Sequence, residues 1–493
     1  MNCSPCASSS NYSSVSTTTC VSLCGAGIST NVTNDSVNIN ISSISISSLG
    51  AVAIQGATFD TFSRLITMTP TTLFTSHPSF TPQYEQIGYV STGAGTVMFD
   101  ASNCIILIST TGSGASRAVR QSLEYQLYQP GKSHQAFFTW TPQYAGTFDT
   151  SVAVRCGIYD DYRDKNTPAG TTGAPPFLYA SSIYGGTGQE TNQPSMGHFF
   201  ELSGNDWFVV ERHNSSNNSL NVVRVAQSNW NVDTLNPEFG NNPSGVTLQR
   251  TTEGLFWIER QWLGIGLVRM GIYNDGHPLV CHAFQNRGYK IPYTNFNKLP
   301  LRYEIEKVSG GSSNFAATAS ICMASQIDGE YTPLGATFSL PANLIRPTTR
   351  IDQTLLPIFL LRLQQQYCRA TIKIQNVELY GKASGVYSIF KNPTITGTIS
   401  WVNHPDKRSM VQYAVFANGT TEPTNTISGG QCIQTGFYDK RAAFLTDQTV
   451  ADLLNASPIS SDIQGKPDVY CIAMAGFSDN DDVNAICRWV EIV

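Results

Sequence analysis

Four cysteines near the amino terminus have the spacing that comes closest to a reactive motif in this chain. They are Cys3, Cys6, Cys20 and Cys24, a C-x2-C-x13-C-x3-C series. Four thiolates at such spacing can hold a tetrahedral zinc ion. The residues between them are rich in Ser and Thr and lack the glycine turns and basic residues of zinc ribbons. Two local disulfides, unpaired thiols and thiols that pair between subunits are the other interpretations, so we assign no metal ion to the chain.

Two acidic runs contain the oxygen ligands that calcium prefers. They cover residues 160–164 and 479–482. Neither has the glycine and the twelfth-position glutamate of the helix-loop-helix calcium motif. We interpret both as solvated turns.

Nucleophilic catalysis has no recognisable motif in this sequence. The G-x-S-x-G phrase of a nucleophile elbow is absent, and the seven histidines show no paired spacing such as H-E-x-x-H. Two converging carboxylates would be needed for glycoside hydrolysis, and sequence spacing does not reveal them. We therefore assign no catalytic and no cofactor-binding residue, expect no cofactor, and predict that the protein is not an enzyme.

Composition predicts pleated sheets instead of helices. Only 13% of the residues are charged and 11% are aromatic. Lys and Glu favour helices, whereas Val, Ile, Thr, Tyr and Phe favour strands. The net charge of -5 and the lack of any dense Lys/Arg block exclude nucleic acid as an expected partner. The most apolar run, residues 355–361, is too short to span a bilayer, so we expect no membrane span.

The chain divides into three regions by pattern. Residues 1–50 are rich in Ser, Thr and Asn, and the alternation over 37–46 predicts an extended arm that adds a strand to another sheet. Residues 51–345 have the short runs and turn clusters of a main β-sandwich domain, jelly-roll-like in class. We assign 346–493 to a second β domain, with one helix candidate at 446–454.

One hairpin is clear from sequence. Residues 267–273 and 278–284 are apolar, and Asp275-Gly276 between them supplies the positive φ of a tight turn. The first strand of this hairpin is echoed at 152–161, which is weak evidence for a repeated unit. Cys156, Cys281 and Cys322 lie in such apolar runs, where free buried thiols are expected and disulfides stay open.

A series of short phrases lies in fixed order along the main domain. They are YQPGKS at 128–133, GHFFE at 197–201, WFVV at 207–210, VAQSNWNVD at 225–233, PSGVTL at 243–248, FWIE at 256–259, QWLGIG at 261–266 and LPLRYEI at 299–305. In this order they resemble a family of structural proteins encoded by tailed phages and by large icosahedral double-stranded DNA viruses. The phrase CRWVE at 487–491 is similar to the carboxyl-terminal phrase of that family.

The resemblance implies a virion component. In the large viruses this would be a penton or other minor capsid protein at the capsid surface or vertex, and in phages a fibre. A pentamer is the first homo-oligomer that it suggests and a trimer the second, with neighbouring capsid proteins as further partners. The first 50 residues and much of 346–480 lie outside the resemblance.

Large aromatic side chains fit an architectural role. Five tryptophans are predicted to anchor the core or the assembly contacts: Trp207, Trp230, Trp257, Trp262 and Trp489. Inter-subunit contact and stacking on glycans are the other roles open to them. We therefore expect a viral structural protein that acts through protein-protein assembly. The alternative is a fibre or receptor-binding protein that recognises host surface glycans, and a glycan hydrolase comes third.

Overall fold

The computed structural model describes most of the 493 residues. The described residues are 28–33, 36–41, 69–161, 196–214, 220–287, 292–294, 297–308, 311, 314–330, 335–340, 348–349, 355–381, 383–416, 425–439, 443–445, 458–477 and 481–492. They form two compact units, residues 1–58 and 59–493. Cys3, Cys6, Cys20 and Cys24 and the helix candidate at 446–454 lie outside the described residues.

The described residues of the first unit form an antiparallel hairpin. Its strands are β1 (Ile28–Thr33) and β2 (Ser36–Ile41). The predicted alternation therefore does form a strand over residues 36–41. That strand pairs with its own neighbour in sequence.

The second unit begins with fifteen strands that build one sandwich. They are β3 (Thr71–Ser76), β4 (Ile87–Thr92), β5 (Gly95–Asp100), β6 (Ile105–Thr111), β7 (Ser116–Ser122), β8 (His134–Gly146), β9 (Val152–Asp160), β10 (Met196–Ser203), β11 (Asp206–Asn214), β12 (Leu220–Ala226), β13 (Gly254–Arg260), β14 (Val268–Asn274), β15 (His277–Phe284), β16 (Leu301–Lys307) and β17 (Phe315–Ile327).

These strands form two antiparallel sheets packed face to face. The first sheet has the order β12-β11-β10-β9-β16-β7-β4, and the second has β15-β14-β13-β8-β17-β6-β5, with β3 also paired to β17. Because side chains alternate along a strand, Val152, Val154 and Cys156 of β9 enter the core between the sheets. From the second sheet, Trp140 and Phe256 enter the same core. This is a β-sandwich, which we name the first sandwich.

The remaining strands build a second sandwich and one separate two-stranded sheet. They are β18 (Ala336–Ser339), β19 (Thr348–Thr349), β20 (Leu356–Leu363), β21 (Thr371–Gly381), β22 (Gly385–Lys391), β23 (Thr394–Ile395), β24 (Val402–Asn403), β25 (Val411–Val415), β26 (Ile427–Ser428), β27 (Gln431–Tyr438), β28 (Ala443–Leu445), β29 (Val469–Gly476) and β30 (Asp481–Ile492). The third sheet has the order β18-β30-β21-β28, with β19 paired to β30, and the fourth has β24-β25-β20-β29-β22-β27. Ile374 and Trp489 of the third sheet share a buried core with Ile389 and Ile472 of the fourth.

The chain is therefore all-β, with jelly-roll-like sandwiches, as its composition predicts. The helical turns of the described residues are of the 3-10 type: Gln227–Asn229, Pro237–Phe239 and Gln365–Tyr367. Within the same residues no helix has the length and apolar character needed to cross a membrane. β18 pairs with the carboxyl-terminal β30, and the proposed domain limits of 51–345 and 346–493 stay a prediction.

The predicted hairpin is confirmed. β14 pairs antiparallel with β15, and Asp275 and Gly276 have φ values of 50° and 78°. Two successive positive φ values twist a tight turn in the same sense as the strands that it joins.

Buried contacts link the two sandwiches. Leu127 of the first packs with Val490 and Ile492 of the second in a small apolar cluster. Lys298 Nζ donates to the carbonyl of Ile492 at 2.6 Å. A charged group buried at this junction needs such a partner, because its desolvation would otherwise cost on the order of several kcal/mol.

Candidate functional site

The outer face of the first sheet carries a buried layer of charged and aromatic side chains. Since Val152, Val154 and Cys156 point into the core, Arg155 and Tyr159 of the same strand point to the opposite face. We name this layer the charged face. Its members are Arg117, Arg155, Tyr159, Asp161, Phe199, Glu201, Arg212, Arg302, Glu304 and Glu306.

Arg155 stands at the centre of the charged face. Its Nε lies 2.6 Å from Glu201 Oε2, and its Nη1 lies 2.8 Å from Glu304 Oε1 and 2.6 Å from Glu306 Oε2. Glu201 in turn accepts from Arg224 Nε at 2.7 Å. One guanidinium thus joins β9, β10 and β16 through three carboxylates.

The network continues toward β7. Arg302 Nη2 lies 2.6 Å from Glu304 Oε2, and Arg117 Nε lies 3.2 Å from Glu304 Oε1. Asp161 lies 3.6 Å from both Arg117 Nη2 and Arg212 Nη1. Such a network avoids the cost of a lone buried charge, because each ion lies against a group of opposite sign.

The ionisation of the charged face follows from these contacts. Burial by itself would raise the pKa of the Glu201 carboxyl, but the charges of Arg155 and Arg224 outweigh it and hold that pKa below its usual value. Burial raises the pKa of the Tyr159 phenol well above its usual value. A glycoside hydrolase needs one carboxyl whose pKa is raised so that it can act as an acid. Glu201 is shifted in the opposite direction.

Aromatic rings separate and cover the arginines of this face. Phe199 and Tyr159 have ring centroids 4.5 Å apart, and the guanidinium carbon of Arg212 lies 4.7 Å from the centroid of Phe199. Arg224 stacks in the same way on Phe208 at 3.2 Å. Planar guanidinium groups on ring faces gain cation-π attraction and exclude water from the ion pairs.

The interpretation of the first acidic run as a solvated turn is wrong for its two described residues. Asp160 and Asp161 are buried. Arg369 Nη2 from the second sandwich lies 2.7 Å from Asp160 Oδ2, while Asp161 faces Arg117. In the second run, Asp481 and Asp482 begin β30 and pair with β19. The other residues of both runs lie outside the described part of the chain.

The second sheet carries a smaller copy of the same arrangement. In the first sheet Arg155 stands opposite Glu201 and Gly157 opposite Phe199 across the β9-β10 pair. Across the β14-β13 pair, in the same way, Arg269 stands opposite Glu259 and Gly271 opposite Trp257. The sequence echo between 152–161 and 268–274 therefore has a structural basis: an Arg-x-Gly strand paired with an aromatic-x-Glu strand.

Glycine is required in both copies because an aromatic ring or a backbone lies directly above it. A Cβ added at Gly157 would lie 2.3 Å from the carbonyl oxygen of His198 and 2.5 Å from the Cβ of Phe199. A Cβ at Gly271 would lie 2.0 Å from the carbonyl oxygen of Leu279 and 2.7 Å from the Trp257 ring. Glycine in a strand commonly marks such a close approach.

A cavity of about 410 Å³ lies at the junction of the two sandwiches. Glu85 and Glu124 line it from the first, and Lys373 and Lys391 from the second. Burial raises the pKa of Glu124, against the opposing effect of the nearby lysine charges. Burial also lowers the pKa of neighbouring Lys298 to about 7. Acidic side chains of the first sandwich therefore lie opposite basic side chains of the second.

The far edge of the second sandwich is uncharged and largely exposed. β27 is the last strand of the fourth sheet in the described part of the chain, and its eight residues include neither a charged residue nor proline. Phe437 on this strand is 76% exposed and Phe477 beside it is 49% exposed, with ring centroids 6.2 Å apart. The exposed thiol of Cys432 lies on the same strand.

The five predicted tryptophan anchors have different environments. Trp207 and Trp230 belong to the core of the first sandwich and Trp489 to the core of the second. Trp257 is buried on the outer face of the second sheet, where its Nε1 donates to the carbonyl of Ile272 at 3.2 Å. Trp262 is half-buried, and its Nε1 donates to Thr294 Oγ1 at 2.7 Å. Whether any of them contacts a partner subunit stays a prediction.

The eight described cysteines are not joined in disulfides. Cys156 and Cys281 are buried, as expected, and burial raises the pKa of both thiols well above the usual value. Cys322 is half-buried. Within the described residues, no three His, Cys, Asp or Glu side chains gather in a way that could hold a metal ion.

Two features of the structure were not predicted from the sequence. The charged face unites residues far apart in the chain, although the Arg-x-Gly echo and the charged alternation of LPLRYEI were available signals. Trp140 was not singled out, yet it is fully buried and its Nε1 donates to Thr318 Oγ1 at 2.6 Å. It lies in an apolar strand without a distinguishing neighbour.

Comparison with known proteins finds only distant structural similarity. No family model matches the chain, and no curated protein matches it. The legume lectin-like domain from Entamoeba histolytica is 8% identical, covering 48% of this chain and 89% of its own, with a TM-score of 0.28.

Two glucanases are similar to the same extent. The β-glucanase of Bacillus licheniformis is 10% identical, covering 52% of this chain and 98% of its own, with a TM-score of 0.30. The endo-1,3-β-glucanase of Streptomyces sioyaensis is 8% identical, covering 53% and 97%, with a TM-score of 0.33. Likeness at this level concerns the β-sandwich alone and carries no inference about activity.

Proposed function

We propose that this chain is a viral structural protein, a minor capsid or vertex (penton) component that acts through protein-protein assembly and is not an enzyme. The ordered series of phrases at 128–305 supports the virion part of this proposal. The observation that carries the assembly part is the exposed edge strand β27.

An exposed edge strand is a template for pairing with another chain, because its outward N–H and C=O groups have no partner in the sheet. Monomeric proteins usually blunt such edges with charge, proline or a short strand. β15, an edge of the second sheet, has Pro278 at this place. β27 has none of these devices and instead presents Phe437 beside Phe477. These are the features of a strand that is covered in an assembly.

The charged face supports the part of the proposal that the chain is not an enzyme. Its carboxylates are engaged by Arg155, Arg302 and Arg117, so they stiffen a sheet and are poorly suited to proton transfer. In the assembly we expect copies of this chain, a pentamer first and a trimer second, together with neighbouring capsid proteins at the capsid surface or vertex.

The test is the mass of the purified full chain, followed by its position in a particle map. Phe437→Lys places a charge on the β27 edge and should convert the oligomer to monomers in native mass spectrometry. Phe80→Lys, at a loop residue that is 91% exposed, is the matched control and should leave the oligomer intact. Five copies around a vertex fit the proposal, whereas three along a fibre favour the alternative. A monomer that is active on a substrate outside any virion contradicts both.

A fibre or receptor-binding protein that recognises glycans is the second candidate. Phe80 and Tyr84, exposed by 91% and 69%, lie in the loop between β3 and β4. Tyr89 steadies this loop, since its ring lies 5.5 Å from that of Tyr84 and its hydroxyl donates to the carbonyl of Pro82 at 2.5 Å. Exposed rings on a fixed loop can stack on sugars. Binding on a glycan array that is lost in Phe80→Ala and kept in Phe437→Lys would support this candidate.

A further inference from the structure

One buried lysine of the second sandwich is in direct contact with a buried carboxylate. Lys391 ends β22, and Asp468 directly precedes β29, the strand that pairs with β22. Lys391 Nζ lies 3.1 Å from Asp468 Oδ2. The two residues are exposed by only 7% and 6%. An amine and a carboxyl group are therefore held against each other where little water reaches them.

The backbone fixes both members of this pair. Asn392, the residue after Lys391, donates its N–H to the carbonyl of Val469 at 2.7 Å and accepts from the Val469 N–H on its Oδ1 at 2.8 Å. Its φ of 54° lies in the left-handed region, which asparagine tolerates better than most residues. The Asp468 N–H donates to the carbonyl of Ser460 at 2.9 Å. Groups aligned in this way can react as if one were present at about 10⁵ to 10⁸ M.

The two oxygens of the Asp468 carboxyl have different partners. Oδ1 accepts from Asn392 Nδ2 at 2.7 Å. Oδ2 accepts from the N–H of Ser460 at 3.1 Å and from its hydroxyl at 3.0 Å, and it is the oxygen in contact with Lys391 Nζ. A donor aimed at a carboxyl oxygen stabilises the negative charge that develops there when a nucleophile adds to the carbon. Oδ1 is therefore placed to carry that charge, and Oδ2 is placed to receive protons from the amine.

The pair also borders the junction cavity of about 410 Å³. Lys391 and Ser460 line this cavity together with Pro458, whose carbonyl accepts from Lys391 Nζ at 3.0 Å. The cavity has polar walls and room for water molecules. A water molecule released at Asp468 therefore has a place to go.

The other buried cations of the chain lack this combination. Arg155 and Arg302 of the charged face meet carboxylates, but a guanidinium keeps its proton, whereas a lysine amine can act as a nucleophile. Lys298 is buried as well, but its Nζ donates to a backbone carbonyl, that of Ile492. Of these three settings and that of Lys391, the last joins a lysine amine to a carboxyl group.

We propose that Lys391 and Asp468 condense into an intramolecular isopeptide bond, an amide between Nζ and Cγ that cross-links the end of β22 to the start of β29. One proton passes from the ammonium to Oδ2, which gives a neutral amine beside a neutral acid. Nζ then adds to Cγ, and the negative charge forms on Oδ1 beside Asn392 Nδ2. A second proton passes from Nζ to Oδ2, the Cγ–Oδ2 bond breaks, and Oδ2 leaves as water into the cavity. The amide keeps one N–H, and no further reactant is consumed.

The buried setting favours this product over the ion pair. A neutral amide replaces two charges whose desolvation is costly. The reaction happens once in each chain and turns over no external substrate, so it does not depend on the proposed assembly. It would lock together two neighbouring strands of the fourth sheet, and β22 is also the strand that carries β27.

The first experiment measures the intact mass of the reduced and denatured full chain. We expect a mass lower than that of the sequence by one water. Digestion with trypsin should yield a branched peptide, because the enzyme does not cut after an acylated lysine, and fragmentation should place the branch between Lys391 and Asp468. A chain with the full mass of its sequence overturns the proposal.

Two lysine variants locate the loss of water. Lys391→Arg keeps a cation against Asp468 but cannot form the amide, so its mass should equal that of its own sequence. Lys466→Arg changes an exposed lysine of the segment that leads to Asp468 and should keep the loss. A loss of water that persists in Lys391→Arg comes from elsewhere, such as a succinimide at Asp328-Gly329, and overturns the proposal. If Lys391→Arg fails to fold, the branched peptide of the parent chain decides.

A third variant tests the route of the reaction. Asn392→Gly tolerates the positive φ and removes the Nδ2 donor to Oδ1. Bond formation should then slow about 100-fold or more. The measurement is the fraction of cross-linked chain at successive times after cell-free synthesis. An unchanged rate would contradict a route in which Oδ1 carries the charge.

Discussion

The outer faces of the two sheets of the first sandwich repeat one cross-strand unit with different surroundings. On the first sheet, Arg155-x-Gly157 pairs with Phe199-x-Glu201, and on the second, Arg269-x-Gly271 pairs with Trp257-x-Glu259. Around Arg155 the unit grows into a buried network with two further carboxylates, whereas Arg269 is partly exposed and pairs with the buried Glu259. The same local pattern thus becomes an interior element on one face and a near-surface element on the other.

The difference shows that the energetic role of an ion pair depends on what lies around it. An exposed ion pair contributes little to the stability of the fold, because solvent already stabilises both ions. A complete buried network also contributes little net stability. The loss of one of its members is costly, however, because the remaining charges are then buried without a partner and out of reach of solvent. The two copies can therefore be separated by matched substitutions.

The largest effect is expected when the central arginine is removed. Arg155→Met leaves three carboxylates without their shared guanidinium and should lower the free energy of unfolding by about 3 to 5 kcal/mol. Arg269→Met is the matched control and should cost less, about 1 to 3 kcal/mol, because it removes a partner from one carboxylate only, Glu259, to which Ser133 still donates. Urea unfolding of both variants measures the difference, and equal losses would show that the two copies are energetically alike.

Alanine at the paired glycines should destabilise both copies. Gly157→Ala and Gly271→Ala each force a Cβ against a neighbouring carbonyl oxygen, at a cost of about 1 to 3 kcal/mol by overpacking. At Gly271 the indole is a second obstacle, so Trp257→Leu in the same chain should recover part of the loss. Denaturant midpoints of the single and double variants test this, and no recovery would mean that the backbone contact dominates.

Low pH should destabilise the charged face by protonating Glu201. Its folded pKa lies below the unfolded value of about 4.3, so the unfolded state binds the proton more readily and stability falls as pH falls below that value. Glu201→Gln should be less stable than the parent protein at pH 7, and the gap should narrow through the acid range. Unfolding free energies at successive pH values measure the gap, and a constant gap would contradict the pairing with Arg155.

The smallest effect is expected at the two tyrosine hydroxyls. The Tyr159 hydroxyl is buried at 3.4 Å from Glu304 Oε2, so Tyr159→Phe should cost about 0.5 to 1.5 kcal/mol. Tyr273 is half-buried, so Tyr273→Phe should change stability by less than that. The thermal unfolding midpoints of the two variants measure this difference. A larger loss of stability in Tyr273→Phe than in Tyr159→Phe would contradict the expected order.

Much of the fold was predictable, and most of the candidate site was not. The β class and the hairpin at Asp275-Gly276 follow from local pattern, because strand periodicity and positive φ act within a few residues. The acidic run at Asp160-Asp161 was misread because a run of carboxylates next to a strand usually faces water. Here Arg369, distant in the chain, lies against Asp160 and allows its burial.

The sequence by itself determined that the chain forms strands, where one tight turn lies, and that an Arg-x-Gly phrase recurs. These properties depend on neighbours in the chain. Only the tertiary structure brings Arg155 against Glu304, 149 residues away, and encloses Arg260 beside His134. Pairing of charges between the strands of a sheet depends on strand order and register, which are set by the packing of the whole core.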